Sequence, residues 1–197
     1  KPRDDAPGLV RLDELEADTP QAAAALWRYL ANIDLTGVVR AWGRPVDDSL
    51  LLFAADRDQV RVTGHFPALW LRLVDVRAAL EARDWAAPAA LVLEVTDTQV
   101  PANDGRFRLT VAPGDATAEG TDTPYEGTAT YTATYEPTSA PADLSIEVRD
   151  LGAAYLGGTR ITAAVRAGLA TEHTPGSAAA LDAALRTAHL PHTADEF

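Results

Sequence analysis

The chain has 197 residues, with 17 Lys and Arg against 29 Asp and Glu for a formal charge of −12, and it contains neither Cys nor Met. The lack of Cys excludes disulfides, thiolate nucleophiles and Cys-ligated zinc. The acidic balance argues against a nucleic-acid partner, because phosphate contacts need clustered cations, and it is permissive for cationic ligands.

At 47% hydrophobic and 23% charged, the composition is that of a globular chain, long enough for one or two domains with a real core. No apolar run approaches the roughly 20 residues that span a bilayer, so no membrane role is expected. The chain starts at Lys1 and shows no charged-then-apolar leader. This predicts a cytoplasmic protein, and a piece of a longer or processed polypeptide.

Residues 8–16 read as a short strand. Thr19-Pro20 opens a helix, with a hydroxyl at the cap and Pro where its missing N–H costs nothing. Leu26, Trp27 and Leu30 give that helix an apolar stripe. Val38–Trp42 reads as a strand stopped by Gly43 and Pro45, and Leu50–Phe53 as a short helical piece. Val60–Val62 and Leu69–Val74 read as strands, and Asp75 can cap a helix over Val76–Arg83.

After Pro88 the hydrophobic period becomes two. Leu91, Leu93 and Val95 alternate with their neighbours, as do Phe107, Leu109 and Val111. Ala129, Tyr131, Ala133 and Tyr135 share one face, and Leu144, Ile146 and Val148 another. Such alternation predicts an antiparallel sheet over 89–150 with one wet face. Helices follow over 150–156, 159–167 and 177–188 and should cover the apolar face. The whole reads as α+β, an antiparallel sheet packed with helices. Residues 1–66 hold few strands and a single substantial helix, and read as the tail of another domain. Between Leu109 and Val148 stand seven acids and no Lys or Arg, either a solvated face or a funnel for a polycation.

Chemistry-bearing motifs are sparse. There is no nucleophile elbow, P-loop or His-Glu-x-x-His. His189, His192 and Asp195 have a spacing that imitates two His plus a carboxylate, but Pro191 interrupts any helix that would align them, so no metal site is expected. His65 and His173 stand alone and read as structural. Arg149-Asp-Leu-Gly-Ala-Ala154 matches the Arg-x-x-Gly-x-Ala pattern of acetyl-coenzyme A pyrophosphate loops, where helix N-terminal N–H groups cradle phosphate. Asp150 would put a negative charge there, and Gly157-Gly158 shortens the helix, so the match reads as chance. The chain ends Asp195-Glu196-Phe197, acids typical of a frayed tail followed by a ring that gains from burial.

Seven stretches, in order, resemble one family. They are Ala25-Leu-Trp-Arg-Tyr-Leu30, Leu69-Trp-Leu-Arg-Leu-Val-Asp-Val76 running into Ala78–Arg83, Val92-Leu-Glu-Val-Thr-Asp97, Gly105-Arg-Phe107, Leu151-Gly-Ala-Ala-Tyr-Leu-Gly157, Leu181-Asp-Ala-Ala184 and Glu196-Phe197. Together they are similar to the C-terminal half of the enhanced intracellular survival (Eis) family of GNAT N-acetyltransferases. The resemblance implies that residues 1–66 end a central GNAT-like domain and that 67–197 form a sterol-carrier-protein-like domain. It implies acetyl transfer from acetyl-coenzyme A to amines of aminoglycoside or lysine type, in a hexamer. The acetyl-coenzyme A site would lie in an N-terminal GNAT domain outside this chain, which alone would be inactive.

The resemblance also implies that the Phe197 α-carboxylate is the catalytic base and that Glu196 helps bind the cationic substrate. Two departures concern the substrate. Pro67-Ala68 stand where the family can carry Asp-Gly, and 112–142 looks longer, giving an extra hairpin. The alternative reading is a binding module, a sterol-carrier-like domain holding a lipid or apolar ligand.

Overall fold

A computed structural model describes residues 8–114 and 131–193. The expected hairpin over 112–142 therefore lies largely outside the described residues, and Asp195, Glu196 and Phe197 lie wholly outside them. No helix among the described residues is long and apolar enough to cross a membrane. The chain divides into two compact units. One takes the chain up to Trp70 and the segment from Leu190 onward; the other is Leu71–His189.

In the first unit, β1 (Gly8–Leu12) pairs in parallel with β2 (Thr36–Ala41), joined through α1 (Pro20–Ala31). The α1 start is as the sequence predicts: Pro20 takes the first turn, and Thr19 Oγ1 accepts from the Ala22 N–H at 3.1 Å. A short helix, α2 (Leu50–Phe53), follows. Among the described residues of this unit, Leu15 and Trp27 form the buried apolar set, whereas Leu9, Val38 and Tyr29 are exposed. A parallel strand pair is normally covered on both faces, so among the described residues this one presents an unusually bare surface.

The expected strands at 60–62 and 69–74 are not formed; residues 60–73 run without regular structure. Their Val and Leu content favours strands, but β-propensity acts through neighbours on a sheet, and these residues have no strand beside them. Gly64 and Pro67 interrupt the run as well.

The second unit is a mixed α/β layer. Its sheet runs β5-β4-β3-β6-β7, from β3 (Ala89–Thr96), β4 (Gly105–Pro113), β5 (Tyr131–Pro137), β6 (Leu144–Glu147) and β7 (Ala170–Glu172). The sheet is mainly antiparallel, as expected, with one parallel pairing that the sequence did not announce: β3 pairs with β6 in parallel, while β3–β4, β4–β5 and β6–β7 are antiparallel. Alternation reports one wet face, and that pattern is the same for either strand direction.

The core face is the expected one. Leu93, Leu109, Ile146 and Val148 are buried, and Phe107 is half-buried, its ring stacked on Tyr135 with centroids 4.6 Å apart. Val148 is buried as the first residue of α4 (Val148–Tyr155) rather than as the end of a strand. The core adds Val76 and Leu80 from α3 (Val76–Ala82), Leu151 and Ala154 from α4, Ile161 from α5 (Ile161–Arg166) and Leu181 from α6 (Ser177–Leu185).

Charged residues close the helix ends. Arg83 donates to the Tyr155 and Leu185 carbonyls, the last residues of α4 and α6, with its guanidinium 4.8 Å from the Trp85 ring centroid. A cation at two helix C-termini meets the negative ends of both dipoles. Asp182 caps α5, accepting from the Ile161 and Thr162 N–H groups at 2.5 and 3.1 Å.

Candidate functional site

The expected active residues, Phe197 and Glu196, fall outside the described residues. The structure does show what leads up to them. The chain leaves the second unit after His189 and joins the first. There His192 Nε2 lies 2.7 Å from the Gly43 carbonyl oxygen, and the Leu190 N–H points at Asp47 Oδ2 at 3.5 Å. The receiving turn is braced. Arg44 Nε donates to Asp48 at 2.7 Å, and its Nη1 donates to the Leu15 carbonyl at 2.6 Å. Of the His189, His192 and Asp195 spacing, Asp195 lies outside the described residues, and His192 has its Nε2 against a backbone carbonyl. Among the described residues no group of three or more His, Asp or Glu could hold a metal.

Two helix starts test the fit of acetyl-coenzyme A. Before α1 the loop is Asp13-Glu-Leu-Glu-Ala-Asp-Thr19, four acids and no glycine, and Pro20 removes one N–H from the first turn. Fixed negative charge at a helix N-terminus opposes phosphate binding there. The Arg149–Ala154 match lies inside α4. Its Gly152 is buried, and a Cβ added there would sit 3.4 Å from the Leu71 carbonyl oxygen. That glycine therefore allows close packing. Arg149 pairs with Asp150 at 3.1 Å. Neither start fits a pyrophosphate.

Sequence reading missed a polar cluster on the sheet's wet face. Ser145 Oγ donates to Glu94 Oε2 at 2.7 Å and lies 2.7 Å from His173 Nε2, while Arg106 donates to Glu94 at 2.8 Å. The Arg106 hydrogen bond, then that of Ser145, hold the Glu94 carboxyl below its usual range. An ionised Glu94 takes the Ser145 proton, so His173 donates to Oγ rather than accepting from it. That is the reverse of an activated serine. No spacing in the sequence announces the cluster, because it joins β4, β3 and β6 with His173, the residue after β7.

Two of the collinear motifs meet at Asp97, a side chain only 1% exposed. Its carboxylate accepts from Arg72 Nη2 at 2.7 and 2.9 Å, Asn103 Nδ2 at 2.9 Å and the Gln99 and Val100 N–H groups. Asn103 Oδ1 in turn accepts from the Val76 N–H at 3.1 Å, at the start of α3. The Asn103 amide first, then the backbone N–H groups and Arg72, hold the Asp97 carboxyl far below the usual carboxylate range.

A carboxyl depressed on folding contributes stability above its unfolded pKa of about 3.9, and that contribution is lost as pH falls toward the folded value. Asp97→Asn should therefore be less stable than wild type at pH 7, with the gap narrowing below about pH 4. Urea denaturation at pH 7, 4 and 2.5 measures this, and a gap constant across the three would contradict the assignment.

The residues thus define a mixed α/β protein whose last segment returns to its first unit. The acetyltransferase (GNAT) domain model matches residues 1–113, and the sterol carrier protein domain model matches 76–194. The chain belongs to the Eis-like GNAT N-acetyltransferases with a sterol carrier protein domain.

It is 41% identical over 184 residues to an uncharacterized N-acetyltransferase of Streptomyces avermitilis, covering 93% of this chain and 41% of that protein. It is 33% identical over 192 residues to the N-acetyltransferase Eis of Mycobacterium tuberculosis, covering 96% and 42%. The crystal structure of Eis1 from Mycobacterium abscessus superposes with a TM-score of 0.78 at 34% identity, over 98% of this chain and 44% of that one. The chain thus spans about two fifths of the length of the curated relatives it matches.

The GNAT domain match extends to residue 113, past the expected boundary at 66, and it lends no support to an acetyl-coenzyme A site outside this chain.

Proposed function

We propose that this chain works as part of an Eis-like N-acetyltransferase acting on cationic amines of aminoglycoside or lysine type. The carrying observation is the likeness to Eis1, which extends through 98% of the chain and so through both units. In this reading Phe197 supplies its α-carboxylate as the base that takes a proton from the substrate ammonium, and Glu196 pairs with that cation before the proton leaves. Acetyl-coenzyme A supplies the acetyl group when bound. The acidic α1 loop and the packed Gly152 favour its being held by a GNAT domain outside the described residues.

Residues 1–66 then belong to a central GNAT-like domain and 67–197 to the sterol-carrier-like one. The bare parallel strands of the first unit are suited to being covered by further chain or by neighbouring subunits of a hexamer. The carrier-module alternative rests on the fold alone, which does not by itself assign a ligand.

The 197-residue chain on its own should show no acetyl-coenzyme A turnover above background with aminoglycoside or peptide amines. Clear turnover would place a working cofactor site on this chain and reopen residues 1–113 as its location.

A further inference from the structure

We infer that the bare face of the β1–β2 pair is the docking surface for an amphipathic helix with carboxylates at its centre, supplied by the part of the complete polypeptide that lies outside this chain. The inference rests on the reading of this chain as one portion of a longer Eis-like enzyme. It adds the chemistry of a contact between the portions.

The pairing register sets Leu9 opposite Val38 and Arg11 opposite Arg40. Residues directly opposite share a face of the pair. Val10, Leu12, Val39 and Ala41, on the other face, are half-buried, whereas these four are exposed, Leu9 by 50% and Val38 by 46%. Adjacent strands lie about 4.7–4.9 Å apart, so the two arginines stand side by side, and like charges directly opposite destabilise a pair. Neither makes an ion pair or hydrogen bond among the described residues. The chain holds 29 acids against 17 bases, so two cations set together without a carboxylate run against its composition. A carboxylate laid over both would turn the repulsion into charge-assisted hydrogen bonds.

A second observation stands at the end of the pair where Leu9 and Val38 lie. Leu35, immediately before β2, has φ +60° and is the one non-glycine with a positive φ among the described residues. For a branched side chain that conformation is strained. Its carbonyl accepts from the Gly8 N–H and its own N–H donates to Asp34, which hold the turn, yet the side chain is left 87% exposed. Strain that presents an apolar side chain to solvent gains nothing within this unit, and it gains a contact once a partner covers the side chain.

The spacing of the face selects the partner's shape. Leu9 and Val38 stand about 6.6 Å along the strands from Arg11 and Arg40. One row of a helix repeats every four residues, about 6 Å. A helix lying along the pair can therefore set an apolar residue over Leu9 and Val38 and a carboxylate over the arginines in successive turns. A parallel pair takes helices on both faces, and the crossover helix α1 can cover only one.

None of the described helices supplies a free carboxylate. The helices α1, α2 and α5 contain no acid. Glu81 of α3 accepts from Arg77 and the Tyr135 N–H, Asp150 of α4 pairs with Arg149, and Asp182 of α6 caps α5. A second copy of this chain thus offers no matching helix among those described. The relatives, of whose length this chain spans about two fifths, carry ample further chain.

The test uses the complete polypeptide that carries this chain, with p-benzoylphenylalanine in place of Val38. On irradiation the label should join a segment of the same polypeptide outside these 197 residues, one with Asp or Glu a helical turn from an apolar residue. The product should run at monomer size under denaturing conditions. A link to a second copy, a link within these residues, or no link would each overturn the inference.

A second readout, the urea midpoint of Arg11→Gln and of Arg40→Gln, differs in sign between the two cases. With carboxylates docked, each substitution leaves one short of its partner and should lower the midpoint. On a solvated face each relieves like-charge repulsion, and the midpoint should hold or rise, which would overturn the inference. Neither readout needs acetyl transfer. A polypeptide that links as expected but acetylates no amine therefore loses the functional reading alone, and an active enzyme without the link loses this inference alone.

Discussion

Appending one or two glycines after Phe197 is expected to lower kcat of the complete enzyme by at least ~10², the low end of what a positioned general base supplies. The reasoning follows from the group itself. A free α-carboxyl titrates at about 3.3–3.7, too low to hold a proton at neutral pH. In the proposed role, enclosure near Asp195 and Glu196 would disfavour its charged form and move it toward the working range. A ring at the last position would gain by burial, which in the proposed role would hold the carboxylate behind it. Adding glycine moves that carboxylate without altering any side chain, and deleting Phe197 removes both ring and reach, so the two changes should do similar damage. Folding and oligomer size should be unaffected, since the terminus lies beyond α6, the last helix of the second unit. A frayed acidic tail would predict no kinetic effect from either change. Wild-type kcat in the glycine-extended enzyme would place the base elsewhere.

What could be read from the sequence depended on how local the cause was. The α1 start and the α3 cap are set by residues three apart, Thr19 with Ala22 and Asp75 with Ala78, and both form as the residue types demand. The inward face of the sheet was legible because a strand's period is two whatever its neighbours do. The direction of β6 was not, because it is fixed by which edge of β3 the chain returns to after β4 and β5. β7 has three residues, too few to show any period. Around 60–74 the apolar pattern suggested strands, and the missing ingredient was a neighbour to pair with.

The site was legible only through resemblance. Composition, spacing and charge singled out no catalytic group. The polar contacts of His192 with Gly43 and of Arg72 with Asp97 join residues far apart in sequence. The same holds for Ser145 and His173, which the sequence leaves 28 positions apart and the sheet brings together.

Leu109→Ala tests the register of the second unit and should be the most destabilising truncation considered for it. Leu109 has no exposed surface. It stands opposite Leu91 on β3 and Tyr135 on β5, with the core face of the sheet beneath the helices. Removing a large side chain there loses its transfer free energy and leaves a cavity that neighbours on three strands can only partly close. The expected cost is roughly 2–5 kcal/mol. Its neighbour Thr110 points to the other face and is half-buried, so Thr110→Ala should cost far less, nearer the ±0.5 kcal/mol of ordinary surface changes. The contrast carries the argument, because a slip of one residue would exchange the two faces and reverse the order of the costs. Urea denaturation gives the stabilities, and amide exchange along β4 reports the second unit separately from the first. A Thr110→Ala cost equal to or above that of Leu109→Ala would show that β4 is paired in a different register.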